Sequence, residues 1–228
     1  MNIQGLQKLT LLDYPDRLAC TVFTGLCNLR CPFCHNASLI SGGNSTIEWN
    51  EVLKFIQSRV GILEGVCVTG GEPTLQKNLS RYLMDIKELG FLVKLDTNGT
   101  RPKVLKDLVA NALVDYIALD VKNSPNRYGE TVGIQDFDLS PIEESMEFLL
   151  TDAVEYEFRT TIVKDFHDEA DLLELANWIK GAKQYFLQSF VDGEDVLQKG
   201  LSSYSKEEIT HLKEAIKPII PVVQLRGV

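Results

Sequence analysis

Three of the five cysteines in this 228-residue chain fall within eight positions, Cys27, Cys31 and Cys34 of the stretch GLCNLRCPFCHN, and His35 follows at once. Thiolates so closely spaced are soft metal ligands. On a helix, positions i, i+4 and i+7 would share a face and bury three small side chains. Pro32 interrupts the run, and a strand precedes it, so a loop is the better expectation. CPFCH also matches the C-x-x-C-H haem-attachment pattern, which goes with exported proteins. Cys27, Cys31, Cys34 and His35 would make a four-ligand zinc site, but zinc ligands usually come as two separated pairs, and no second pair follows. An iron–sulfur cluster with three protein ligands fits best. Cubane clusters usually take four thiolates, so three leave one iron open to an outside ligand. Cys20 and Cys67 lie in apolar runs, where a free cysteine is a small hydrophobe.

Other chemistry-bearing residues sit in short polar runs. In GGEP (70–73), Gly70 and Gly71 allow close backbone approach, and Glu72 can accept a hydrogen bond from an ammonium; Pro73 completes the run. A Gly-Gly turn before a helix would look the same. In DTNG (96–99), Thr97 and Asn98 suit hydroxyl and carboxylate contacts, although Asn-Gly is also a turn signal. Asp96 and Asp120 close neighbouring strands, and Lys122 lies two residues past Asp120, where a plain surface ion pair is the alternative. Arg159 and Gln188 occupy late positions on later strands.

These runs must be brought together by the elements between them. β-Branched strands are expected at 17–25, 65–70, 91–99, 114–122, 154–163 and 184–190, with a further strand at PVVQLRG. Amphipathic helices are expected at 46–61, 76–90, 101–111, 140–152, 168–181 and 205–217. Gly90 should close the second helix, and Ser140 with Pro141 should open the fourth. Six βα units without an internal break predict one α/β domain over residues 1–228, a parallel sheet covered by helices. Periodicity does not separate an open sheet from a barrel. Both put the active site at the carboxyl ends of the strands, and four consecutive strands deliver their polar runs to that end.

Composition narrows the class. The chain is 44% hydrophobic and 24% charged, and Lys plus Arg at 23 against Asp plus Glu at 32 gives a net charge of −9. That surface repels phosphate backbones, so nucleic acid is not an expected partner. No apolar run approaches a membrane span and no export signal is visible, so a cytoplasmic protein with reduced thiols is expected and no membrane partner. The triplets NAS (36–38) and NST (44–46) match glycosylation acceptors, which mean nothing without export.

CNLRCPFC resembles the C-x3-C-x2-C motif of the radical S-adenosylmethionine (SAM) superfamily, with aromatic Phe33 before the third cysteine, and GGEP resembles its second hallmark. GLQKLTLLDYPDRLACTVFTGLCNLRCPFCHN is similar to the opening of anaerobic ribonucleoside-triphosphate reductase activating proteins. LDTNG and ALDVK are similar to segments of glycyl-radical-enzyme activases, including the pyruvate formate-lyase type. The resemblance is dense from residue 5 to about 122 and looser beyond. It implies a partial (βα)6 barrel. Cys27, Cys31 and Cys34 would hold a 4Fe-4S cluster whose open iron takes SAM, and an electron from the cluster would cleave SAM to methionine and a 5′-deoxyadenosyl radical. Gly70, Gly71, Glu72 and Pro73 would serve the amino end of SAM. Phe33 would pack on adenine or simply in the core; Asn36, Thr97, Asn98, Asp120, Lys122, Arg159 and Gln188 are further candidate SAM contacts. Asp96, Thr97 and Asp120 match residues that hold a monovalent cation in related activases. The implied partners are a glycyl-radical enzyme, with anaerobic ribonucleotide reductase first, and a flavodoxin or ferredoxin-type electron donor. A radical SAM enzyme acting on a small molecule, such as a deazapurine-forming or maturation enzyme, is the alternative. The chain lacks the second cysteine cluster that some activases carry.

Overall fold

The computed structural model describes residues 1–42 and 46–227, so Asn44 and Ser45 of the second acceptor triplet lie outside the described residues. Eight strands form one sheet in sequential order: β1 (Ile3–Thr10), β2 (Ala19–Thr24), β3 (Gly65–Gly70), β4 (Leu92–Thr97), β5 (Tyr116–Asp120), β6 (Glu155–Ile162), β7 (Tyr185–Ser189) and β8 (Val223–Arg226). β1 pairs antiparallel with β2, and every later neighbour is parallel. Consecutive order without a switch point is the winding of a barrel rather than of a doubly wound sheet. Among the described residues β8 does not pair back to β1, so the barrel is partial. The six expected βα units are present, from β2 to the helix after β7, and the last expected strand is β8.

Helices α1 (Ala37–Ile40), α2 (Trp49–Gln57), α3 (Leu79–Glu88), α4 (Pro102–Ala110), α5 (Tyr128–Val132), α6 (Ser140–Leu150), α7 (Glu169–Trp178) and α8 (Lys206–Ile216) fill the crossovers. Leu79, Leu83 and Ile86 bury one stripe of α3, and Gly90 follows it with a left-handed φ of 85°. Reciprocal Ser205–Glu208 and Asp168–Asp171 hydrogen bonds open α8 and α7. At α6 the cap differs from expectation. Ser140 is already the first helical residue, and the Asp138 carboxylate accepts from its N–H and hydroxyl.

Strand alternation divides core from site. Val68, Leu95, Leu119, Phe158 and Leu187 are fully buried in the apolar layer with Leu83, Leu108, Met146 and Leu172. Their neighbours along the strands, Thr69, Asp96, Asp120, Arg159 and Gln188, face the other way into a cavity. Beneath it the barrel is filled by polar side chains. Lys94 is 1% exposed and pairs with Asp96, while Tyr116 donates to Glu157, which also takes two hydrogen bonds from Arg226. Tyr14, from the loop after β1, packs against Tyr116 and closes the lower end.

β1 had no counterpart among the expected elements. IQGLQKLT lacks alternation because it is a half-exposed edge strand with two register irregularities.

Candidate active site

The cysteine loop leaves the end of β2 and is held from several sides. Leu26 and Cys27 donate their N–H groups to Leu39 and Ile40, and Arg30 donates to Val132. The Arg30 guanidinium returns to the Cys27 and Leu29 carbonyls at 2.7 Å each. From the far side of the barrel, Leu197 and Gln198 donate their N–H groups to Cys34 and Pro32, and Asp195 takes the Ser38 N–H and hydroxyl. The loop after β7 is therefore a clamp on the cysteine loop.

Gly70 and Gly71 sit against this same loop. A Cβ on Gly70, whose φ is 112°, would lie 2.4 Å from the Thr24 carbonyl oxygen, and one on Gly71 would lie 2.2 Å from the Leu26 carbonyl oxygen. Their N-terminal-side contact is covered by Gly71 and Glu72 donating N–H to Thr24 and Leu26 at 2.7 Å. The glycines let GGEP lie directly on the backbone that leads into Cys27.

Glu72 is fully buried and does not border the cavity. Its carboxylate accepts from the Thr74 N–H and hydroxyl, from the Thr97 hydroxyl at 2.8 Å and from the Asn98 N–H at 2.7 Å. Burial pushes its pKa up against these four donors. It ties GGEP to DTNG inside the protein and leaves no oxygen facing a ligand ammonium. Pro73 starts a buried 3-10 turn, Pro73–Leu75, and likewise lies off the cavity.

The remaining candidates meet at one cavity of about 240 Å³: Cys27, Cys31, Cys34, Phe33, Asn36, Gly70, Gly71, Asp96, Thr97, Asn98, Asp120, Lys122, Arg159 and Gln188. Phe33 is 4% exposed and tilts against Phe166 and His167, so it is packed in the core with one side toward the cavity. Asn98 donates to Asn28 at 3.0 Å and lies beside the Cys27 sulfur. Thr69 and Thr161 also line the wall. Neither was among the expected site residues, although Thr161 lies two residues along β6 from Arg159, where the strand period would have found it, and Thr69 directly precedes Gly70.

Charge is concentrated on β4 to β6. The Arg159 guanidinium donates from Nε to Asp120 at 2.8 Å and from one terminal nitrogen to Asp96 at 3.1 Å. Lys122 reaches Asp120 at 3.1 Å. Burial would raise the Asp120 carboxyl, but Arg159 and Lys122 outweigh it and hold it far below the usual carboxylate range. Burial would lower Lys122, yet Asp120 keeps its ammonium charged. Burial pushes the Cys31 thiol up to about 12, with Lys122 acting against the shift. The metal-free thiol is therefore protonated near neutral pH, and ligation must displace that proton.

The thiols fit a polynuclear cluster. All three line one cavity, yet among the described residues no three His, Cys, Asp or Glu side chains converge where a single ion would sit. Thiolates that bind different irons of a cluster do not have to converge on one point. His35 is not a fourth ligand of a zinc site: Nε2 meets the Val191 carbonyl at 2.8 Å and the ring packs on Phe190. Cys20 is buried in the core as expected. Cys67 instead faces the barrel interior, 3.8 Å from Asp96. At the expected monovalent-cation site the side chains are engaged within the protein. Asp96 and Asp120 are taken by Lys94, Arg159 and Lys122, and the Thr97 hydroxyl is turned to Glu72.

A partial parallel barrel with three thiols and a charged cavity at its carboxyl-terminal mouth defines a class of cluster-dependent enzymes. The Radical SAM superfamily model matches residues 21–179, and the chain belongs to that superfamily. It is therefore a radical SAM enzyme, and the family implies a 4Fe-4S cluster and SAM. A protein of Methanocaldococcus jannaschii, whose own assignment as a glycyl-radical enzyme activating enzyme is inferred, is 32% identical over 99% of this chain and 96% of that protein. The 7-carboxy-7-deazaguanine synthase of Koribacter versatilis is 30% identical over 58% of this chain and 56% of its own length. Streptococcus suis SuiB, solved with its precursor peptide SuiA, shares the fold with a TM-score of 0.72 at 14% identity, over 91% of this chain and 48% of SuiB. Among the described residues no helix is long and apolar enough to cross a membrane.

Proposed function

We propose that this chain is an activase that uses SAM to place a glycyl radical on a partner enzyme, with anaerobic ribonucleoside-triphosphate reductase as that partner and a flavodoxin or ferredoxin-type protein as reductant, in the cytoplasm. The observation that carries the reading is the extent of similarity. It runs along nearly the whole of both chains for the inferred activase, but along little more than half of each for the deazaguanine synthase. The partner choice rests on the resemblance of residues 5–36 to reductase activating proteins.

On this reading Cys27, Cys31 and Cys34 hold the cluster, which when bound supplies the electron that cleaves SAM. Asn36, Thr97, Asn98 and Gln188 line the space the ligand would fill, and Phe33 offers an apolar wall. Lys122 and Arg159 put positive charge toward that space, where an amino-acid carboxylate is attracted. The Leu197 and Gln198 backbone bonds and the Asp195 side chain hold the cysteine loop while the cavity mouth stays open. Incubating the reduced, cluster-loaded protein with SAM and the reductase anaerobically should yield a stable organic radical on the reductase by electron paramagnetic resonance. A reductase that stays silent under these conditions would reject the partner assignment. A second reading, action on a small purine-like molecule, draws on the deazaguanine synthase similarity; turnover of such a molecule without any protein partner would favour it.

A further inference from the structure

We infer that the Arg159 guanidinium is this site's built-in cation, standing between Asp96 and Asp120 so that the ligand cavity works without a bound sodium or potassium ion. The inference rests on reading the cavity as the SAM site, and it begins from acceptor capacity. A carboxylate offers about four lone-pair positions. Asp96 spends its own on Lys94 and Cys67 at one oxygen and on Thr69 and Arg159 at the other. Asp120 gives one oxygen to Arg159 and the other to Lys122. The Thr97 hydroxyl donates to Glu72 and accepts from the Gly99 N–H. At Asp96, whose four positions are all taken, a metal ion would have to displace a donor, and at Asp120 it would have to share each oxygen with a cation already bound there.

Charge balance points the same way. Asp120 and Arg159 are direct neighbours across β5 and β6, which sets the guanidinium over the carboxylate. Three carboxylates, Asp96, Asp120 and Glu157, face four cations, Lys94, Arg159, Lys122 and Arg226, and Arg159 lies within 3.9 Å of Glu157 as well as against both aspartates. A metal ion would add a fifth positive charge to a group that already holds four cations against three carboxylates, in surroundings where like charges interact strongly. The surplus belongs to Arg159 and Lys122, both on the cavity wall. An arginine does this permanently, since it does not deprotonate in proteins. The guanidinium thus neutralises the paired aspartates and presents the remaining charge to an anionic ligand group.

The test compares potassium, sodium and choline chloride at one ionic strength, so that general screening is constant. SAM affinity of the cluster-loaded wild type, by anaerobic calorimetry, should stay within about twofold across the three salts; a loss of about tenfold or more in choline overturns the inference. Independently of SAM, the melting temperature of the metal-free wild type should be the same in all three, and a rise specific to potassium or sodium overturns it. Arg159→Leu, which removes the cation shared by Asp96 and Asp120 and leaves each with a single lysine, should acquire a stabilisation by potassium or sodium over choline; a folded variant indifferent to salt overturns it. If that variant does not fold, the wild-type melting comparison decides. SAM that fails to bind in every salt would strike the SAM reading, while the melting comparison still decides the cation question.

Discussion

Four donors converge on the Glu72 carboxylate in a fully buried space. Glu72→Ala therefore orphans the Thr97 hydroxyl and the Thr74 and Asn98 N–H groups. We expect it to cost on the order of 3 kcal/mol, since each buried unsatisfied donor costs about 1–3 kcal/mol. For a chain of this size that is a fall of roughly 10 °C in melting temperature, measurable by calorimetry on the metal-free protein. Lys122→Ala should behave oppositely, keeping the fold but weakening SAM binding by about tenfold or more, as loss of a charge-assisted contact does. Cys31→Ser should lose the cluster on anaerobic reconstitution, because serine is a poor substitute for a soft ligand, whereas Cys20→Ser should keep it. Residue types and spacing were enough to name the cysteines and most of the cavity wall. They did not reveal which way Glu72 turns, because a motif lists neighbours along the chain and says nothing of which face of a turn is buried. They also hid Lys94 beneath Asp96: a lysine in a strand reads as solvent-facing until the barrel closes over it.

Of the segments that hold the cysteine loop in place, GGEP and the loop after β7 each offer a test. Gly71→Ala would drive a Cβ to 2.2 Å from the Leu26 carbonyl oxygen, a contact only backbone movement can relieve. The displaced segment leads straight into Cys27, so the variant should assemble substoichiometric iron even though no ligand has changed; full iron content would show that the loop tolerates the shift. The loop after β7 acts more weakly. Asp195→Ala removes two hydrogen bonds to Ser38 at the exposed start of α1 and should leave stability nearly unchanged. It should speed iron loss to a chelator by a few fold. The parallel strands and their helices were legible because strict burial on the helix side forces β-branched runs and amphipathic spacing. The clamp at 190–200 was not, because its contacts run through backbone N–H groups of Leu197 and Gln198, which carry no residue-type signal. β1 escaped for the related reason that a half-exposed edge strand does not alternate.

The whole barrel depends on groups that respond differently to acid. His167 is buried and bridges the Lys122 carbonyl and Val163, and burial lowers its pKa below the ordinary 6.5. The unfolded chain takes up a proton near pH 6.5 that the folded chain resists, so the stability it contributes is present above that pH and is lost as pH falls through it. Asp120 and Asp96, held low by Arg159 with Lys122 and Lys94, stay ionised in the folded state and add to the loss only as pH falls through the ordinary carboxylate range. Urea unfolding should thus show stability declining below pH 6.5 by up to about 1.4 kcal/mol per pH unit from this group. A flat profile between pH 7.5 and 5.5 would mean that His167 takes up its proton as readily in the fold as in the unfolded chain, and would contradict the lowered pKa. At the same scale, six βα units forming an incomplete barrel leave the cavity open at its mouth, and the proposed substrate is a loop of another protein entering there. The most direct measurement of that claim follows one hydrogen. The reduced, cluster-loaded protein is given SAM and a partner reductase labelled with deuterium at glycine, and the 5′-deoxyadenosine formed is analysed by mass spectrometry. Deuterium in the 5′-deoxyadenosine, appearing together with the radical on the partner, is the predicted result. Deuterium arriving instead from a labelled small molecule, with no partner present, would contradict it.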